Sequence, residues 1–352
     1  MTLNNQRIAQ EGSKDTILNN QGCNHYYKGK LKPALQCFRN ALELREREAP
    51  NSLPVAESYI GIGLVLKEQG DMVGALKYYH KALEIRERDE PSSLSVAESY
   101  NCIGRVLQGQ GDLQGASEHY HNALKIGECE APKSLTVARS CNNIGSVLSE
   151  KGDFEGALTQ FQKAREIRVR EAPNSLTVAE SYNNIGGVFW MQGDLKGAMK
   201  EYHKALKIRD REAPNSLAVA ESYNNIGSVL ADQGDLDRAS IEYDKALEIQ
   251  ERKAPNSLTV ATSYNNIGSV LEDQGDLEGA LKEYDKALEI RERNAPNSLT
   301  VADSYNNIGA VLRDQDDLEG ALKAYRKALE FKERVAGPQL FDGEATSYSS
   351  PS

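Results

Sequence analysis

Ser263-Tyr264-Asn265-Asn266-Ile267-Gly268-Ser269-Val270-Leu271 decides the fold, because the chain writes this stretch again and again. Ser-Tyr-Asn-Asn-Ile-Gly recurs at Ser181–Gly186, Ser222–Gly227 and Ser304–Gly309. Altered copies stand at Ser140–Gly145, Ser99–Gly104, Ser58–Gly63 and Ile17–Gly22. The glycines at 22, 63, 104, 145, 186, 227, 268 and 309 are 41 residues apart throughout. A fixed period in this range marks supersecondary units that bury their apolar faces by stacking. The expectation is one array rather than the two domains that 352 residues would suggest by length.

Working outward from Gly268, the unit is a pair of helices. Pro255-Asn256-Ser257 breaks the preceding helix and offers Ser257 as an N-cap. A first helix then runs to about Gln274, with Val260, Tyr264, Ile267 and Leu271 on one 3.6-period stripe. Gly275 stops it in a left-handed cap, and Asp276 caps the second helix. That helix carries Leu277, Ala280, Leu281, Tyr284, Ala287, Leu288 and Ile290, and ends in the charged turn Arg291-Glu292-Arg293. Gly268 and Ala280 are the small residues where two backbones approach closest. Around the array, residues 1–14 read as a short polar leader, 15–335 as eight repeats in one superhelical array, and 336–352 as a Ser-rich flexible tail. In the last repeat Asp316 stands where the helix-stopping glycine should be. No polar capping helix follows, so Leu340 and Phe341 fold back over the end or the end is a contact surface, open to end-to-end association.

These residues resemble the tetratricopeptide repeat. The match is carried by a glycine, an alanine twelve residues later, an aromatic sixteen later and an alanine nineteen later: Gly268, Ala280, Tyr284 and Ala287. The surplus over the usual repeat lies at the end of the second helix and in the Ala-Pro-Asn-Ser-Leu connection. That longer form is similar to the repeats of kinesin light chains and nephrocystin-3-like proteins. The resemblance implies an all-α solenoid of eight antiparallel helix pairs and a protein-binding function. Two departures stand beside it. About fourteen residues without heptads precede the repeats, where kinesin light chains carry a long heptad segment. No Gly-x-x-x-x-Gly-Lys-Ser/Thr loop occurs, although similar bacterial and algal sensors follow a nucleotide-binding domain.

Composition narrows the function. Lys and Arg number 42 against 52 Asp and Glu, a net charge of −10 with no basic block, so nucleic acid is not the expected partner. No apolar run approaches the ~20 residues of a membrane span. Five unpatterned cysteines (Cys23, Cys37, Cys102, Cys129, Cys141) suit reduced thiols in the cytoplasm. Neither a catalytic constellation nor a cofactor motif is present. His119 and His121, two apart on a helix, point away from each other and cannot share a metal. An enzyme is not expected, and no cofactor or metal is.

The binding face follows from angle. At 100° per residue, offsets −6, −3, +1, +4 and +5 from the repeat glycine fall between about 40° and 140°, opposite the apolar stripe. In stacked repeats of this family that face resembles the concave groove that grips partner segments. Its centre holds Asn101, Asn142, Asn183, Asn224, Asn265 and Asn306, whose amides can hydrogen-bond an extended peptide backbone. The alternative use of those amides is to bridge adjacent helices. Over the last seven repeats the five offsets carry eleven acids, among them Glu180, Glu221, Asp232, Glu272, Asp273 and Asp303, against Lys67, Arg105, Arg139 and Arg313. A protein or peptide partner with basic character is therefore expected. Kinesin light chains are known for accepting acidic, tryptophan-containing motifs, the opposite sign. In the fifth repeat the pattern breaks: Gly187, Trp190 and Met191 occupy offsets +1, +4 and +5. This lone tryptophan, beside a vacancy, suggests a pocket for one anchoring side chain, with a Lys or Arg stem suiting the indole. The expected function is an interaction scaffold. A kinesin light chain-like cargo adaptor and the sensor half of a regulatory ATPase are the alternatives.

Overall fold

A computed structural model describes residues 13–336, all helical apart from caps and turns. They form sixteen helices in two compact units, 13–173 and 174–336. The first unit pairs α1 (Lys14–Tyr27) with α2 (Leu31–Glu48), α3 (Leu53–Glu68) with α4 (Met72–Asp89), α5 (Leu94–Gly109) with α6 (Leu113–Glu130), and α7 (Leu135–Glu150) with α8 (Phe154–Glu171). The second pairs α9 (Leu176–Met191) with α10 (Leu195–Glu212), α11 (Leu217–Asp232) with α12 (Leu236–Lys253), α13 (Leu258–Asp273) with α14 (Leu277–Asn294), and α15 (Leu299–Asp314) with α16 (Leu318–Ala336). Each unit is thus a stack of four antiparallel pairs. First helices of successive repeats also touch, α1 with α3, α5 with α7 and α11 with α13, so they share one side of their stack.

The caps explain why each pair turns where it does. Gly275 sits at φ 82° and Asp276 then accepts from the Gly279 amide at 3.0 Å, so only three residues separate α13 from α14. Asp316 holds the same left-handed turn at φ 63°, as a short polar side chain can. The connection between repeats uses the same device at Asn51, Asn215 and Asn256, with φ between 54° and 59°. Ser257 caps α13 weakly, accepting from Val260 at 3.4 Å.

Packing within a repeat is set by the glycine and the aromatic sixteen residues on. A Cβ built on Gly268 would lie 2.7 Å from Cε1 of Tyr284, and Gly63, Gly104 and Gly227 are in the same relation to Tyr79, Tyr120 and Tyr243. The ring lies flat against bare helix backbone, which is why the position takes no side chain. Ala280 and Ala287 are wholly buried on either side of Tyr284. Ala280→Leu forces three further heavy atoms against this layer and lowers stability by about 1–3 kcal/mol; thermal denaturation followed by circular dichroism reads it.

Between repeats the half-buried Leu277, Leu281 and Leu288 pack against Ile308 and Val311 of α15. Their counterparts on α16, Leu318, Leu322 and Leu329, are 51–67% exposed. End-to-end association would set that stripe on α1, which carries Lys14 and Gln21 where α13 has Val260 and Ile267. Among the described residues the two ends are not complementary in polarity. Leu340, Phe341, the Ser-rich tail and most of the leader lie outside the described residues.

Candidate peptide groove

The predicted groove face is the shared side of the first helices. In the second unit Glu221, Asp232, Asp273, Asp303, Trp190 and Met191 are exposed, and Glu180 and Glu272 half-buried. A cavity of about 630 Å³ opens along α11, between Trp190 of α9 on one side and Thr259, Thr262 and Asn266 of α13 on the other. Glu221, Asn224 and Ser228 form its α11 floor. Three predicted site residues, Trp190, Glu221 and Asn224, therefore meet in one cavity. Asp232 stands beside it, accepting the indole N–H of Trp190. The vacancy at Gly187 is real: a Cβ there would meet nothing closer than the Tyr202 hydroxyl at 3.7 Å.

The asparagines occupy the predicted helix face but, Asn224 at the cavity apart, are turned largely toward the neighbouring repeat. Asn101 and Asn142 are buried, at 1% and 8% exposure, and Asn183, Asn224, Asn265 and Asn306 are half-buried. Their amides reach to the neighbouring repeat. Asn101 Nδ2 donates to Ser140 Oγ at 2.9 Å and Asn224 Nδ2 to Ser263 Oγ at 2.9 Å. The second asparagine of the following repeat donates back: Asn143 to Asn101, Asn225 to Asn183 and Asn307 to Asn265, at 2.8–3.2 Å. The expectation of an exposed row is corrected by this geometry, because a helix-to-helix spacing short enough for amide contact leaves little room above it. Asn224→Ala together with Asn265→Ala removes inter-repeat bonds and lowers the melting temperature, by about 1–3 kcal/mol per buried partner left unsatisfied; an unchanged melting curve refutes it.

A second row of residues joins the repeats, and it comes from the charged ends of the second helices. Arg45, Arg86, Arg168, Arg209 and Arg291 recur in the last turn of the second helix and are 5–9% exposed. Arg209 Nη1 donates to the Ala218 carbonyl at 3.0 Å, Ser222 Oγ at 2.8 Å and Asn183 Oδ1 at 3.3 Å, while Nη2 meets Glu221 Oε2 at 3.3 Å. Arg291 repeats this with the Thr300 carbonyl, Ser304 and Asn265. Burial pushes the pKa of the Arg291 guanidinium down, and Asp303 opposes the shift. In the first unit Arg45 does the same with the Pro54 carbonyl and Ser58, and pairs with Asp15 at 2.7 Å.

Eight helix pairs with this glycine–aromatic packing match one family model. Tetratricopeptide repeat models fit residues 14–89, 95–170, 177–252 and 259–334, two helix pairs to each match. The chain belongs to the tetratricopeptide repeat family. No curated protein matches it in sequence. Among solved structures it is similar to a Rap protein complexed with competence and sporulation factor, at 19% identity over 93% of this chain and 88% of that one, TM-score 0.65. The apo form of RapI is similar at 18% identity over 80% and 98%, TM-score 0.64. BtubC (BKLC) from P. vanneervenii is similar at 20% identity over 69% and 98%, TM-score 0.56. At these identities the likeness shows the fold.

Within this tetratricopeptide repeat chain no group of three or more His, Cys, Asp or Glu side chains that could hold a metal occurs among the described residues. His119 neighbours His80 of the preceding repeat instead, with ring centroids 6.4 Å apart. No helix among them is long and apolar enough to cross a membrane. On the groove face three of the four bases are already paired: Lys67 with Glu68, Arg139 with Glu98 and Arg313 with Asp314. The exposed surplus of the face is acidic.

Proposed function

We propose that the chain is a non-enzymatic interaction scaffold that holds an extended peptide or helix of basic character along the first-helix face. The observation that carries this reading is the cavity walled by Trp190, a large ring 39% exposed at the edge of a face on which acids outnumber bases. An exposed indole beside a cavity is the kind of anchor that dominates peptide binding energy. Asp273 and Asp303, two and three repeats on from Trp190, extend the negative field in the second unit. That one structural neighbour is a Rap protein in complex with competence and sporulation factor is in keeping with it. A cytoplasmic setting fits the five cysteines and the absence of an apolar span among the described residues.

A kinesin light chain-like or nephrocystin-3-like adaptor is the second reading. It is favoured by the 41-residue repeat with its Ala-Pro-Asn-Ser-Leu connection, and opposed by the sign of the groove. The sensor half of a regulatory ATPase is a third, with no motif of its own here.

Trp190 is the only tryptophan, so it reports its own occupancy. Titrating the chain with a pool of basic, extended peptides shifts its emission, and Trp190→Ala weakens retention by about 2 kcal/mol, some thirtyfold. Fixed emission at saturation, with normal retention by Trp190→Ala, refutes the groove reading. Recovery of acidic rather than basic partners in an affinity pull-down favours the adaptor.

A further inference from the structure

The cavity beside Trp190 lies at one of the breaks in the arginine row, another being at Gly127. Four junctions, after Arg45, Arg86, Arg209 and Arg291, set a buried guanidinium near an acid of the next helix: Glu57, Glu98, Glu221 and Asp303. At the junction of the sixth and seventh repeats both members are replaced. Gln250 stands for the arginine and Thr262 for the acid, and both line the cavity. The ion pair is deleted as a pair, and a shorter side chain leaves the space that a guanidinium fills elsewhere.

The hydrogen bonds at this junction are left incomplete. Asn224 Nδ2 donates to Ser263 Oγ, and the Ser263 hydroxyl is within donating reach of Gln250 Oε1 at 2.7 Å and of Asn224 Oδ1 at 3.1 Å. This turns the Gln250 Nε2 amide away from Ser263, and it has no hydrogen-bond partner among the described residues. Gln250 is only 3% exposed. Gln250 lines the cavity, so this amide is available to donate to a group that enters it. The carbonyl that receives the guanidinium at the sister junctions, Ala218 or Thr300, is here Thr259, which also lines the cavity. It receives no side-chain donor. Ser222 and Ser304 donate to the Ala218 and Thr300 carbonyls, but Ser263 is drawn off by Gln250.

We propose that this cavity is a socket for a neutral carboxamide side chain, Asn or Gln, of the bound peptide. The proposal rests on the groove reading above and specifies it. A carboxamide oxygen accepts from Gln250 Nε2 while its NH₂ donates to the Thr259 carbonyl, and its planar face lies against the indole of Trp190. A carboxylate has no proton for Thr259 and enters an acidic face. A cation finds the local acid replaced by Thr262, and Glu221 already engaged by Arg209 and Asn183. Burying a charge there without a partner is strongly unfavourable. Basic residues of the peptide fall outside the socket, on Asp273 and Asp303.

The test is a peptide library on beads, five randomised positions flanked by two lysines on each side, incubated with the full chain. Wild type enriches Asn or Gln at one position, and a resynthesised hit binds about tenfold tighter than its Glu, Leu or Lys counterparts. Gln250→Arg with Thr262→Glu rebuilds the pair the sister junctions hold, and abolishes that preference; Gln250→Met, which deletes the donor in nearly the same volume, abolishes it too. Melting curves for both variants establish that they are folded. A carboxamide preference that survives either folded variant overturns the proposal. Bound peptides with no carboxamide preference also overturn it and leave the groove reading standing. Binding of no peptide, with Trp190 emission unmoved, overturns both.

Discussion

Arg209→Met will destabilise the second unit by about 3–5 kcal/mol, whereas Arg211→Met, two residues away, will change it by less than about 1 kcal/mol. The two arginines share the last turn of α10 and differ in what they touch. Arg209 is 5% exposed, and its loss removes charged hydrogen bonds to the Ser222 hydroxyl and the Ala218 carbonyl, worth about 1.5–3 kcal/mol each, and leaves those two groups only their mutual contact. Asn183 keeps its bond from Asn225, and Glu221 is exposed enough to be solvated, so those two add little. Arg211 has a half-exposed side chain and pairs only with Glu212 beside it, an arrangement worth about 0–1 kcal/mol. At roughly 2–4 °C per kcal/mol for a unit of this size, the buried variant melts about 10 °C lower and the exposed one is indistinguishable from wild type. Equal shifts for the two would mean that the arginine row does not join the repeats.

The contrast between these neighbours marks what was legible in the sequence. A strict 41-residue period, with glycine and aromatic sixteen apart, forces one packing solution repeated eight times. The fold could be read for that reason, and so could the side of the first helices that carries Trp190, Glu221 and Asn224, since helix phase alone sets it. The charged turn Arg291-Glu292-Arg293 was a different matter, because composition gives both arginines the same character. Phase distinguishes them: Ala280, Tyr284, Ala287 and Arg291 follow steps of four, three and four, so Arg291 continues the buried stripe and Arg293 leaves it. The asparagines show the other limit. Their angle was right, but whether an amide faces a ligand or the next helix depends on the distance between repeats. That distance follows from the small side chains around Gly268 and Ser263 acting together, not from any one residue. Gln250 fell outside both kinds of reading, since a polar residue at a helix end is unremarked until its sister positions are known to hold buried arginine.

Gly268→Val will destabilise the second unit by about 3 kcal/mol, the upper end of what overpacking a filled core does. The first added atom already lies 2.7 Å from the ring of Tyr284, inside any normal contact. That ring cannot swing aside. It is 2% exposed, held between Ala280 and Ala287, and its hydroxyl donates to Glu272 at 2.8 Å. Gly268→Ala meets the same first contact but gains about 1 kcal/mol of helix propensity, so its net loss is smaller, and β-branched valine regains less while adding two further methyl groups. If the clash with Tyr284 is the cause, it disappears with the ring. Gly268→Val combined with Tyr284→Ala should then lose clearly less than the sum of the two single changes, a coupling of the size seen only between residues in contact. Strict additivity in thermal or urea unfolding would show that the glycine is required for some other reason, and the shared packing of all eight repeats would need another explanation.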